Sequence, residues 1–176
     1  MIGCHGGETP RHRTCAFLLG ESLAVDAGSL TSGLELTEQM KLKAVVVSHA
    51  HLDHIRDLAT LADNRCQMRA PPLVVAATKE TLRGLREHFF NNVIWPDFSV
   101  IPSEGEPAIT YLELPSDVPT EVAGFAVRPV MVSHTIESSS FIIEAEGGAV
   151  AYSGDTGPTD RMWEVLNETR DLKALM

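Results

Sequence analysis

Three imidazoles and one carboxylate fall within six positions of this chain, at His49, His51, Asp53 and His54. Imidazole nitrogen and carboxylate oxygen are the donors that zinc and related divalent ions take, and neither helix nor strand packing demands such a cluster. Two more groups of the same kind stand far downstream, His134 and Asp155, each just past an apolar run. A tetrahedral zinc holds about four ligands and a catalytic one keeps a position for water, so this set predicts two ions about 3.5–4 Å apart. His49 and His51, alternate residues of an extended segment, point the same way and can chelate one ion with His134. Asp53 and His54 turn toward a second ion. Asp155, with two carboxylate oxygens, is the natural bridge.

These residues need rigid elements behind them. Val45 to Val47 is a β-branched run with no polar partner, as in a strand covered on both faces, and it ends at the histidines. Ile55, Leu58, Ala59 and Ala62 then recur at helical spacing, so the motif reads strand, loop, helix. Cys15–Leu19 and Leu23–Asp26 predict a hairpin around Gly20-Glu21, and Asp26 before Gly28 either orients a ligand histidine or simply forms the turn. Leu34–Met40 reads as a short helix and Leu73–Ala77 as a strand. Thr78 reads as the cap of a helix whose inward face carries Leu82, Leu85 and Phe89. Tyr111–Leu114 and Gly124–Ser133 read as antiparallel strands. Ser139–Ala145 and Ala149–Ser153 flank a Gly-Gly hairpin turn, Pro158–Leu166 starts a helix, and Leu172–Met176 begins an apolar run. Alternating strands and helices predict a layered α/β domain.

Composition narrows the partners. With 24 acidic against 14 basic residues, the formal net charge is -10, which argues against a polynucleotide partner because such partners are held by phosphate neutralisation. No apolar run approaches the roughly 20 residues of a membrane helix, and no leader pattern opens the chain. Cytoplasm is the default location, with no membrane partner expected and a homo-oligomer allowed. Cys4, Cys15 and Cys66 lack a Cys-x-x-Cys pair and read as reduced, packed thiols, with a ligand role for Cys4 beside His5 as the lesser reading. His12 and His88 have no evident partner. Phe89 to Phe98 concentrates aromatic residues, either as rings buried under a loop or as a surface on which a planar base stacks.

The pattern His49-x-His51-x-Asp53-His54, with His134 and the turn Ser153-Gly154-Asp155-Thr156 downstream, resembles the metallo-β-lactamase superfamily. More narrowly, Ser48–Ile55, Asp26–Ser29, Ile94–Phe98, Ser133–Thr135 and Ser138-Ser139 are similar to class II cyclic nucleotide phosphodiesterases. The resemblance implies a single αββα four-layer domain over 1–176 and two divalent metal ions, zinc first among them. It further implies hydrolysis of a 3′,5′-cyclic nucleotide, most often cyclic AMP, to the 5′-nucleotide. It casts Asp53, His54 and Asp155 as the catalytic set and Trp95 and Phe98 as substrate-binding residues. Such enzymes usually carry a last ligand histidine, and no histidine follows His134. The sequence therefore predicts a domain incomplete at both ends, with weakened second-metal binding and little or no turnover in this chain alone. The alternatives are another hydrolase on the same fold, acting on a thioester, a lactam or an RNA 3′ end, and a non-catalytic domain that binds metal or nucleotide.

Overall fold

The computed structural model describes residues 1–176. The first half builds one sheet and its helices. Strands β1 (Phe17–Leu19) and β2 (Leu23–Val25) form an antiparallel hairpin. Two short helices follow, α1 (Leu30–Gly33) and α2 (Leu36–Gln39), then β3 (Ala44–Val46) and the long helix α3 (Leu52–Gln67). Next come β4 (Leu73–Ala77) and α4 (Lys79–Gly84), which runs on as one π-helical turn over Leu85–Phe89. A small hairpin, β5 (Pro102–Ser103) with β6 (Glu106–Pro107), precedes β7 (Ile109–Glu113). The sheet order is β1-β2-β3-β4-β7, parallel from β2 onward.

The second half builds a facing sheet from β8 (Thr120–Val122), β9 (Phe125–Val132), β10 (Ser138–Ala145), β11 (Gly148–Tyr152) and β12 (Leu172–Leu175), with α5 (Asp160–Glu168) crossing over before β12. Its order is β12-β11-β10-β9-β8, with only the β11–β12 pair parallel.

The alternation of side chains along a strand separates three cores. Val45 and Val47 point to the helices, where they meet Ile55, Leu58, Leu61, Leu82 and Leu85. Ala44 and Val46 point the other way, into an inter-sheet core with Val127, Phe141, Ile143 and Tyr152. Ile142 and Ala151 on the outer face of the second sheet cover Met162, Val165 and Leu166 of α5. The layers are therefore helices, sheet, sheet, helix, the αββα arrangement expected.

Two expectations need correction. Tyr111–Leu114 does not pair with Gly124–Ser133: β7 lies at the edge of the first sheet, parallel to β4, while β9 pairs with β8 and β10 in the second. Leu114 lies between the two sheets, so the Pro/Asp/Thr-rich connection crosses from one sheet to the other rather than closing a hairpin. Leu34–Met40 is also not one helix, because Leu34 is extended and Glu35 with Glu38 forms a capping box that starts α2 afresh.

Candidate metal centre

Asp26 follows β2, Ser48 to His51 follows β3, His134 follows β9, and Asp155 follows β11, so the chemically active residues gather on one edge of the sandwich. Asp26 joins them. Its backbone takes the left-handed conformation, with φ of 56°, and its carboxylate is fully buried. One oxygen accepts from the Ser48 amide at 2.8 Å. The other accepts from the Ser48 hydroxyl at 2.8 Å and the Tyr152 hydroxyl at 2.7 Å, and lies 2.6 Å from His54 Nδ1. With Nδ1 so engaged, the His54 ring presents Nε2 to the cleft. That atom is buried and has no hydrogen-bond partner, although Asp155 Oδ1 lies 3.3 Å and Asp53 Oδ2 3.5 Å from it. Those separations satisfy charge proximity but not hydrogen-bond direction. An orphaned buried nitrogen flanked by two carboxylates is what a cation site leaves when its cation is taken away.

The second group of donors is imidazole only. His49 Nε2 lies 3.0 Å from His51 Nδ1, and His134 Nε2 lies 3.2 Å from the same atom. Two nitrogens bound tetrahedrally to one zinc at about 2.0–2.1 Å would stand about 3.3 Å apart, so these spacings suit a shared ion. His49, His51 and His134 thus form one potential ligand group, and His49, His54 and Asp155 an adjoining one. The donor sets fit divalent metal. Asp53 stands in the first turn of α3, beside His54.

A family model described as the beta-lactamase superfamily domain matches residues 27–176. The chain belongs to this superfamily. Among the proteins similar to this superfamily member is a 3′,5′-cyclic-nucleotide phosphodiesterase of Aliivibrio fischeri, 28% identical over 194 residues, covering 90% of the chain and 56% of the relative. A probable 3′,5′-cyclic-nucleotide phosphodiesterase of Yersinia pestis is 24% identical over 190 residues, covering 90% and 54%. The chain thus spans about half the length of these curated relatives. Among solved structures, unliganded yeast PDE1 superposes with a TM-score of 0.80 at 17% identity, over 99% of this chain and 72% of that one; at that identity the likeness speaks for the fold.

Electrostatics divide the superfamily site in two. Burial, then the neighbouring charge of His54, pushes His49 down to about 4, leaving a neutral imidazole ready to ligate. Burial also works against charge on His54, but the hydrogen bond to Asp26 and a further pull from Cys15 outweigh it and lift this ring to about 11. In the metal-free chain the pairing with Asp26 thus favours the protonated ring. Its folded value lies above the ordinary one of 6.5, so this stabilisation is complete below that pH and is lost as pH rises through about 11. A metal at Nε2 must displace the proton. Zinc titration in weak buffer at pH 7 is expected to release protons from the wild-type chain as the His54 group fills; binding without release would contradict this protonation state.

Gly28 makes the loop possible. A Cβ there would sit 1.9 Å from the Asp53 carbonyl oxygen and 2.7 Å from Thr14 Oγ1, so the loop after β2 lies directly on the start of α3. Ala27 N donates to the His54 carbonyl and Asp57 N to the Ala27 carbonyl, fixing that docking. Gly28→Ala is expected to cost about 1–3 kcal/mol of stability and to weaken zinc binding, as read by denaturant melts and metal titration. Gly154, at φ of 60° and with the Ser139 carbonyl 2.7 Å from its missing Cβ, plays the same part in presenting Asp155.

The aromatic segment divides. Phe98 is buried in the helix-side core with Ala108 and Ile109, so its ring fills the space under the loop and offers no face to a base; the substrate-binding expectation for Phe98 is corrected. Trp95 remains partly open, next to exposed Val93 and Ile94. Cys4 lies exposed with Sγ 3.7 Å from His5 Nδ1, and the His5 ring stacks against His12 at 4.4 Å, apart from both ligand groups. His88 is solvated on the surface. The sequence reading missed Ser48 and Tyr152 as partners of Asp26. It also missed Glu137, which accepts from the Thr78 hydroxyl at 2.7 Å and so ties the end of β4 to the His134 loop; Thr78 makes no side-chain cap bond to α4. The signal available was position, since each stands at a strand end beside a ligand candidate.

Proposed function

We propose that this superfamily member hydrolyses a 3′,5′-cyclic nucleotide, cyclic AMP foremost, to the 5′-nucleotide at a two-metal centre. The observation that carries the reading is the adjoining pair of donor groups, one of three imidazoles and one containing the unpartnered His54 Nε2. The similarity to proteins named cyclic-nucleotide phosphodiesterases supports the substrate class. His49, His51 and His134 would hold one ion, and Asp53, His54 and Asp155 the other, with Asp155 spanning the two. Divalent ions held there, zinc by donor type, would activate water and neutralise charge building on the phosphoryl oxygens.

The chain's own residues do the rest. Asp26 keeps His54 Nδ1 engaged and the ring aimed at the carboxylates. Asp53 and Asp155 orient the attacking water in line with the departing 3′ oxygen and hold its proton. Trp95 offers a partly exposed ring to the base. The His54 group offers one imidazole and two carboxylates where the other offers three imidazoles, so its zinc is expected to bind more weakly and to limit turnover.

Phosphorus NMR of cyclic AMP incubated with the zinc-loaded chain tests the proposal. The expected result is slow, metal-dependent formation of 5′-AMP that rises with zinc concentration as the weaker group fills and is lost on chelation. Turnover of a thioester, a lactam or a bis-aryl phosphate with no conversion of cyclic nucleotides would assign another hydrolase on this fold. Cyclic AMP binding without product would assign a non-catalytic domain.

A further inference from the structure

At the far end of the first sheet, away from the histidines, the C-terminus of α3 faces the β5–β6 hairpin across a cavity of about 660 Å³. That volume lies within the range of small-molecule sites, roughly 300–1,000 Å³. Arg65 lines it and is 2% exposed. Its guanidinium donates from Nη1 to the Gln39 carbonyl at 2.9 Å and from Nη2 to the Pro71 carbonyl at 2.6 Å. Both acceptors are neutral, no carboxylate lies within ion-pair distance, and Nε is buried without a partner.

A buried cation without a counter-charge is costly, and proteins ordinarily pair it. The same cavity is lined by Arg69, which takes the left-handed conformation just past the end of α3 at φ of 50°. Glu106 is the one acidic side chain in the lining, so the walls carry a net positive charge. Pro71, Pro72, Pro102 and Pro107 stiffen the walls.

We propose that this cavity is a second ligand site, distinct from the metal centre, that takes the oxyanion group of a small molecule, a phosphate or a carboxylate, on Arg65 and Arg69. Arg65 supplies the charge within the wall and Arg69 closes on the anion from the rim. Burial pushes the Arg65 guanidinium below its ordinary pKa, the direction expected where no anion is in place, and a bound oxyanion would reverse it. The site owes nothing to the metal-centre reading, and metal-free protein is the material that tests it.

The test is amide NMR of the chelator-treated 176-residue chain titrated with inorganic phosphate and, separately, with acetate, at ionic strength held constant with chloride. The expected result is saturable shifts over Arg65–Pro72 and Pro102–Ala108, with affinity about tenfold weaker in Arg69→Ala. Arg69 is exposed, so that variant keeps the fold. Arg65→Lys, which retains charge but loses the fork, is the second variant and is expected to weaken binding as well. A response to phosphate alone would identify a phosphate-bearing ligand, and a response to both anions a carboxylate or phosphate one. No saturable shift, equal affinity in wild type and Arg69→Ala, or shifts confined to the histidine cluster would overturn the proposal.

Discussion

Replacing Asp26 with alanine is expected to remove about 3–5 kcal/mol from the stability of the metal-free chain, the cost of breaking a buried pair and stranding the buried groups that donate to it. The carboxylate is fully buried and serves the Ser48 amide, the Ser48 and Tyr152 hydroxyls, and His54 Nδ1 at once. These partners come from the ends of β3 and β11 and the start of α3, so one side chain links both sheets to the site. With it gone, burial favours a neutral His54, and two hydroxyls lose their acceptor. The Tyr152 hydroxyl, which burial and then Asp26 hold strongly protonated, has no evident substitute. Should Asp26→Ala fail to fold, Asp26→Asn separates the roles: it keeps the shape and loses the charge that holds the His54 proton. That variant is expected to fold and to bind zinc in the His54 group about 10- to 100-fold more weakly. Denaturant melts and zinc titration read both effects. An Asp26→Asn chain with wild-type zinc affinity would remove Asp26 from the site and leave it a structural residue.

His51 Nδ1 lies 3.0 Å from His49 Nε2 and 3.2 Å from His134 Nε2, which makes it the hub of the imidazole group. His51→Ala is expected to abolish zinc binding at that group and to reduce cyclic nucleotide hydrolysis to background. The residue is only partly buried and sits at the cap of α3 without a side-chain cap bond, so the metal-free fold should change by less than about 1 kcal/mol. That contrast separates a ligand from a structural residue: His51→Ala loses metal and keeps stability, whereas Asp26→Ala loses both.

Strand-end chemistry was legible because the sequence marks it twice, by an apolar run and by the residues that follow. Val45 to Val47 reads as a doubly covered strand, and His49 to His54 lies where that strand must end; the same logic placed His134 and Asp155. The alternation of Val45 and Val47 against Ala44 and Val46 into separate cores could not be read, since all four are apolar and only the second sheet gives the faces different partners. The edge position of β7 was hidden for a related reason. Its five residues carry no mark of partner or direction, and the parallel pairing with β4 is made across a long intervening segment that holds α4 and the β5–β6 hairpin. Asp26 was half legible, as either a turn residue or an orienting group, and it is both: its backbone makes the left-handed bend and its carboxylate holds His54. Phe98 was misread because an aromatic cluster looks alike whether it lines a cleft or plugs a core.

Native mass spectrometry of the chain titrated with zinc, alongside His51→Ala and Asp26→Asn, tests the metal centre most directly. A tight first zinc and a weaker second one are expected in the wild-type chain, with loss of the first in His51→Ala and weakening of the second alone in Asp26→Asn. A wild-type chain that takes up no zinc, or zinc content unchanged by His51→Ala, would contradict this assignment.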